Sequence, residues 1–259
     1  MTHRWFDGTP RPRVLAHRGL VTAADIAHGV VENSFTAVSA AHAAGARYVE
    51  SDCHLTADGT VVLFHDDDLT RVTGDPRRVA EVSVRELDTL MSSRGGLITL
   101  EQALEAFPTV RFNLDVKAKE AAAEVGRLVA PHANRVLLTS FSDRRRRDAL
   151  AAAEQTGRGI RPATSAGSAT IARVLAALSV RSSALVRSAL AGVDALQVPE
   201  RQDRLRIVTP RLIAAAHKHG VEVHVWTVND PADMRRFVAM GVDGLVTDRA
   251  DLALSIVCE

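Results

Sequence analysis

Residues 46–66 read ARYVESDCHLTADGTVVLFHD and hold most of the residue types that move protons or bind metals. Tyr48, Glu50, Asp52 and His54 share one parity, while Val49, Ser51, Cys53 and Leu55 share the other. Successive side chains of a strand point to opposite faces, so one face presents a phenol, two carboxylates and an imidazole in a row. Asp58-Gly59 supplies a turn, and a second short apolar strand over 61–64 delivers His65-Asp66. Unpaired charge is costly to bury, so this face is either wet or holds a cation. A metal ion is the expectation, since Glu50 and Asp52 at i and i+2 offer oxygen ligands to a hard cation.

Other residues of the same kind stand at the ends of apolar runs. His17-Arg18 follows 13–16, Asp115 and Lys117 close FNLDVK, Trp226 ends 221–226, and Asp248 follows 244–246. Each has an ordinary explanation by itself. A lone histidine is usually a satisfied hydrogen-bonder, Asp115 has Lys117 on its own parity as an ion-pair partner, and Trp226 fits a packed core. Trp226 also fits an apolar wall for a small polyol or a lipid headgroup. Together, three carboxylates, two histidines, an arginine and a lysine at strand ends have few structural explanations. His28, His42, His132, His217, His219 and His224 read as surface or packing residues. His54 is set apart from them by its parity.

The elements that must position these residues alternate. Strands are predicted over 13–16, 46–55, 110–116, 135–139, 159–162, 195–198, 221–226 and 244–246, with helices between them. The helices include 35–45, 100–107, 118–129, 143–154, 169–178, 182–190, 210–219, 231–240 and 250–257. Eight βα units in a chain of 259 residues favour a (β/α)8 TIM barrel over an open doubly wound sheet. In a closed barrel all strand C-termini point to one rim, where such folds do chemistry. Neither GxGxxG nor GxxxxGK[ST] occurs, so nucleotide binding has no support. The expected organisation is a single domain over 1–259 with a small insertion after the second strand, about 53–98, of which 66–98 is Asp-rich and irregular.

Composition excludes several classes. With 46% hydrophobic and 24% charged residues, disorder is not the default. A formal charge of +1 gives no argument for nucleic acid, and the basic run 144–147 reads as the solvated first turn of a helix. Two distant cysteines, Cys53 and Cys258, read as reduced thiols of a cytoplasmic protein. No stretch resembles a signal peptide or a membrane span, so stable membrane insertion is not expected. Oligomeric state leaves no mark in the sequence.

The order of motifs resembles the glycerophosphodiester phosphodiesterase family. It runs His17-Arg18-Gly19, Glu32-Asn33-Ser34, Glu50-Ser51-Asp52 through His65-Asp66, Asp115-Val116-Lys117, Trp226-Thr227-Val228-Asn229 and then 241–248. The resemblance spans about 14–248 and implies a TIM barrel acting on a small glycerophosphodiester such as glycerophosphocholine or glycerophosphoethanolamine. It makes His17 and His65 the general acid and base. Glu50, Asp52 and Asp115 become ligands of one divalent cation, Mg²⁺ or Ca²⁺. Arg18 would hold the phosphate with Lys117 close by, Glu32 would support Arg18 or the metal, and Trp226 would line the leaving-group pocket. The third ligand is a glutamate in the family and an aspartate here, one methylene shorter. Ser34 for threonine and Arg71-Val72-Thr73 for Arg-Thr-Thr are smaller departures. Rival readings are a lysophospholipase D, a cyclic-phosphate-forming phospholipase of the sphingomyelinase D type, and a non-catalytic phosphodiester-binding barrel. The second of these leans on disulfides, which this chain lacks.

Overall fold

The computed structural model describes residues 3–156 and 159–258. Its strands are β1 (Arg13–His17), β2 (Tyr48–Leu55), β3 (Val61–Leu63), β4 (Arg111–Val116), β5 (Val136–Thr139), β6 (Ala163–Thr164), β7 (Ala195–Pro199), β8 (Arg201–Gln202), β9 (Leu205–Arg206), β10 (Glu222–Trp226) and β11 (Gly244–Thr247). Eight pair in parallel in the order β6-β5-β4-β2-β1-β11-β10-β7. The two ends of that sheet meet. Ser165 bridges Ala195, and the Asp194 N–H donates to the Thr164 carbonyl at 2.8 Å. The result is the expected nearly closed barrel with helices outside.

Strand parity divides the core. Val14, Ala16, Val49, Leu114 and Val223 face the helices, whereas Leu15, Tyr48, Leu137, Ala163, Ala195 and Val246 pack inside with Trp5 and Phe6. Trp5 lies edge-on to Tyr48 with centroids 4.6 Å apart and donates its indole N–H to the Phe112 carbonyl at 3.1 Å. The N-terminal end of the barrel is thereby filled, together with the buried ion pair of Arg13 and Glu222 at 2.9 Å. Residues 62–97 build a satellite core from Val62, Phe64, Leu69, Val72, Val79, Val82, Leu87, Met91 and Leu97. No helix among the described residues is long and apolar enough to cross a membrane.

Several expectations need correction. The fifth barrel strand is Ala163–Thr164, not 159–162, and its pairing with β5 begins at Leu137↔Ala163. Pro162 has no N–H to give a ladder, so the strand starts only after it. Glu50 and Asp52 do not end β2, which runs on to Leu55 because β3 pairs antiparallel with its last turn of chain, Cys53↔Leu63. The helix expected over 118–129 begins at Ala122. The basic run is not wholly solvated. Arg146 is buried, donating to Thr164 Oγ1 at 3.1 Å and pairing with Asp143 at 3.4 Å. Asp143, Arg146, Ala149 and Ala153 are the buried residues of helix Asp143–Thr156, spaced as one helical face. The short helix Ala23–Ala27 and the β8–β9 hairpin carry too little periodicity to be foreseen.

Gly126 has a packing role testable on its own. It lies on helix Ala122–Val129, and a Cβ there would stand 2.2 Å from the Ala149 carbonyl oxygen and 2.7 Å from Ala152 Cβ. Alanine gains up to about 1 kcal/mol of helix propensity over glycine. Forcing a packed interface apart costs about 1–3 kcal/mol, and against a backbone atom the clash wins. Gly126→Ala is expected to lower the free energy of urea unfolding; a more stable variant would show that this helix–helix contact is loose.

Candidate active site

The first cluster forms where β1 ends. His17 is its last residue, and Arg18 turns sharply with φ 58, its N–H donating to the Glu50 carbonyl at 2.8 Å. Gly19 follows with φ 91, and a Cβ there would lie 2.6 Å from the Ala37 carbonyl, so only glycine seats this turn on helix Phe35–Ala43. His17 Nδ1 lies 2.6 Å from Asp248 Oδ1, and Nε2 lies 3.9 Å from Glu50 Oε2. Asn229 fixes Asp248, donating from Nδ2 to Oδ2 at 2.6 Å while its Oδ1 accepts the Asp248 N–H at 2.9 Å. Burial pulls the His17 pKa down, but the Asp248 hydrogen bond and the Glu50 charge outweigh it and leave it raised.

The second cluster lies between β2 and β4, whose register sets Glu50 beside Asn113 and Asp52 beside Asp115. Lys117 Nζ sits between the acids, 3.0 Å from Asp52 Oδ1 and 2.9 Å from Asp115 Oδ2. The ordinary ion pair for Asp115 is therefore present and extends to Asp52. Arg18 Nε is 3.2 Å from Asp52 Oδ2, which also accepts from Asn33 Nδ2 at 3.1 Å. Burial, then the charges of Asp52 and Asp115, push Glu50 up to about 8. Asp115 is raised as well, burial outweighing Lys117. Burial pulls Lys117 down, but the two acids reverse that and raise it.

The third cluster comes from the chain after β3. His65 Nδ1 lies 2.6 Å from Asp66 Oδ1, and the His65 carbonyl lies 3.2 Å from Nε2 of buried His54. Burial pushes Asp66 up, but hydrogen bonds from Arg71 and His65 hold it at about 2. Arg71 also donates to Glu32 Oε1 at 2.7 Å, the same oxygen that accepts from Arg18 Nη1 at 2.7 Å. An unbroken run of contacts thus links His65, Asp66, Arg71, Glu32, Arg18, Asp52, Lys117 and Asp115. Trp226 joins through Phe141: their rings meet edge-on with centroids 5.9 Å apart, and Lys117 Nζ lies 5.5 Å from the Phe141 centroid.

All nine residues singled out from the sequence therefore belong to connected clusters. Sequence reasoning gave no role to Asp248, Asn229, Asn33, Asp66 or Arg71, which hold the others in place. Asp66, next to a candidate histidine, and Asp248, just past the last strand, were visible as carboxylates at the rim; their partners were not.

The donor set suits a hard divalent cation. Glu50 Oε2 and Asp115 Oδ1 are buried with no hydrogen-bond partner, and an all-oxygen set is what such ions take. Among the described residues no three His, Cys, Asp or Glu side chains are grouped as a ready cage, and the Lys117 ammonium lies between two of the acids. The orphaned oxygens are the feature a cation would satisfy.

A (β/α)8 barrel carrying two imidazoles, three acids and two cations toward its C-terminal rim is an enzyme scaffold. The chain belongs to the glycerophosphoryl diester phosphodiesterase family, which it matches over residues 17–252. It is 34% identical over 252 residues to the Mycobacterium tuberculosis protein named "Probable glycerophosphodiester phosphodiesterase 2", covering 95% of this chain and 93% of that one. The crystal structure of the Thermotoga maritima glycerophosphodiester phosphodiesterase superposes with a TM-score of 0.72 at 25% identity, covering 96% of this chain and all of that one (100%). An Oleispira antarctica phosphodiesterase, solved with its product sn-glycerol-3-phosphate, has the same fold, with a TM-score of 0.71 at 20% identity over 96% of this chain and 98% of that one.

Proposed function

We propose that this protein hydrolyses glycerophosphodiesters, such as glycerophosphocholine or glycerophosphoethanolamine, to glycerol 3-phosphate and an alcohol. The observation that carries the reading is the set of contacts joining two imidazoles to Arg18, Lys117 and three buried acids, one of which, Glu50, is pushed up to about 8 by burial and by the neighbouring Asp52 charge. A phosphodiester is an anion, so attack on it requires positive charge already in place. Arg18 and Lys117 would hold the nonbridging oxygens. Mg²⁺ or Ca²⁺ held by Glu50, Asp52 and Asp115 would add charge neutralisation and polarise the phosphoryl group.

His17 is assigned as the general acid. Its proton is favoured by the Asp248 hydrogen bond, a contact that a cation near Glu50 would leave in place. His65 is the general base, Asp66 holding Nδ1 so that Nε2 is the nitrogen available to the nucleophile. That nucleophile is water or the adjacent glycerol hydroxyl, the second route passing through a cyclic phosphate. Trp226 would form the wall against the departing group, and Glu32 would orient Arg18. We place this chemistry in one domain over 1–259, in the cytoplasm, where the unpaired Cys53 and Cys258 stay reduced.

The test is turnover of glycerophosphocholine, followed by coupling to glycerol 3-phosphate oxidation and by phosphorus NMR. Glycerol 3-phosphate as the final product supports the reading. A stable cyclic phosphate marks a cyclising phospholipase, turnover confined to lysophospholipids marks a lysophospholipase D, and binding without turnover marks a non-catalytic barrel.

The acid assignment has a pH consequence. An acid must be protonated to act, so activity falls on the alkaline side as His17 loses its proton. Asp248 raises that pKa, and Asp248→Asn is therefore expected to move the alkaline limb of the kcat profile to lower pH. An unmoved limb would take the acid role away from His17.

A further inference from the structure

We propose that Arg71, on the insertion after the second barrel strand, is a positioning residue that locks His65 and Arg18 into one geometry through Asp66 and Glu32. The inference rests on the phosphodiesterase reading above and adds to it a residue which that mechanism does not use.

Arg71 lies on the short helix Thr70–Thr73. Its Nε donates to Asp66 Oδ2 at 2.7 Å, and its Nη2 reaches Asp66 Oδ1 at 3.2 Å. The same Nη2 donates to Glu32 Oε1 at 2.7 Å. One planar guanidinium thus spans two carboxylates from different segments. Asp66 in turn holds His65 Nδ1 at 2.6 Å, and Glu32 holds Arg18 Nη1 at 2.7 Å. The phosphate-binding cation comes from the turn after β1, and the imidazole from the chain after β3. Among the described residues no other run of side-chain hydrogen bonds and ion pairs as short as this one joins these two side chains.

The chemistry of the fork explains why an arginine stands here. A guanidinium presents donors in a rigid plane that matches a carboxylate edge-on and still has one left for a second acceptor. A lysine ammonium is a point charge on a flexible stem and cannot fix the orientation of both partners. The Arg71 side chain is 54% exposed, so its ion pairs add little to folding stability. Their value lies in orientation. A histidine that swings away from its reacting atom forfeits rate although the fold is intact.

Two independent readouts test this. In the first, Arg71→Met is expected to lower kcat for glycerophosphocholine by about tenfold, short of the ~10²-fold or greater loss on removing the histidine itself, with KM within about twofold of the parent. Arg71→Lys should fall within about threefold of Arg71→Met in kcat, because charge without the fork does not restore geometry. A rise in KM at parental kcat would make Arg71 a substrate contact and overturn the proposal, as would full rescue by lysine. In the second, ¹⁵N spectra of the histidine rings, with His65 assigned from the His65→Gln spectrum, should show the Nδ1–H tautomer of His65 in the parent and a tautomer mixture in Arg71→Met. Unchanged ring shifts would overturn the proposal. If the parent shows no turnover, the functional reading fails while the spectra still decide the role of Arg71.

Discussion

His17→Ala and His65→Ala are each expected to lose at least about a hundredfold in glycerophosphocholine turnover while unfolding at the parental temperature. A hundredfold is about 2.7 kcal/mol of transition-state stabilisation. It is the lower end of what a positioned acid or base supplies. Neither side chain belongs to the apolar core. His17 packs against two carboxylates at the rim, and the side chain of His65 is one-third exposed (33%) beside Asp66. Their removal leaves no apolar cavity, so lost rate would report chemistry rather than folding. A variant with near-parental kcat would remove that histidine from the mechanism. The effects should not multiply in the double variant, because acid and base serve the same displacement and the residual rate comes from binding and charge alone.

Removal of divalent metal carries the second large effect. EDTA is expected to abolish turnover, with Mg²⁺ or Ca²⁺ restoring it. The reason lies in the charge balance between β2 and β4: three buried acids meet there, with Lys117 between two of them and Arg18 beside Asp52, and Glu50 Oε2 and Asp115 Oδ1 have no hydrogen-bond partner. Ligands must be deprotonated to bind, so metal affinity should fall as pH falls through the raised range of Glu50. Calorimetric titration with Mg²⁺ at several pH values checks this without reference to activity. The same titration on Asp115→Ala should show weaker binding. Full turnover in chelator would remove the ion from the reaction.

Much of this was legible in strand parity. The alternation Tyr48, Glu50, Asp52, His54 put the acids on one face, and in the fold that face is the barrel interior, with Asp52 level with Asp115. The apolar runs placed His17 and Trp226 at strand ends, and both are there. The unread part depends on geometry that no local pattern encodes. Asp248 meets His17 across 231 residues of chain only because β1 pairs with β11. Arg71 sits in an irregular insertion, where its reach to both Glu32 and Asp66 depends on how that segment folds back. Arg146 looked like part of an exposed basic run because charge says nothing of helix phase. The two-residue β6 was displaced by Pro162, a backbone effect stronger than the apolar pattern around it.

In the proposed mechanism, acids from β2 and β4 hold one divalent cation beside both imidazoles. Crystals grown with Mn²⁺, a heavier stand-in for Mg²⁺, and measured for anomalous scattering test it most directly. One peak is predicted in contact with Glu50, Asp52 and Asp115, with Lys117 moved off the bridge and His17 and His65 on either side. No peak there, or Lys117 still joining Asp52 to Asp115 at saturating Mn²⁺, would contradict it.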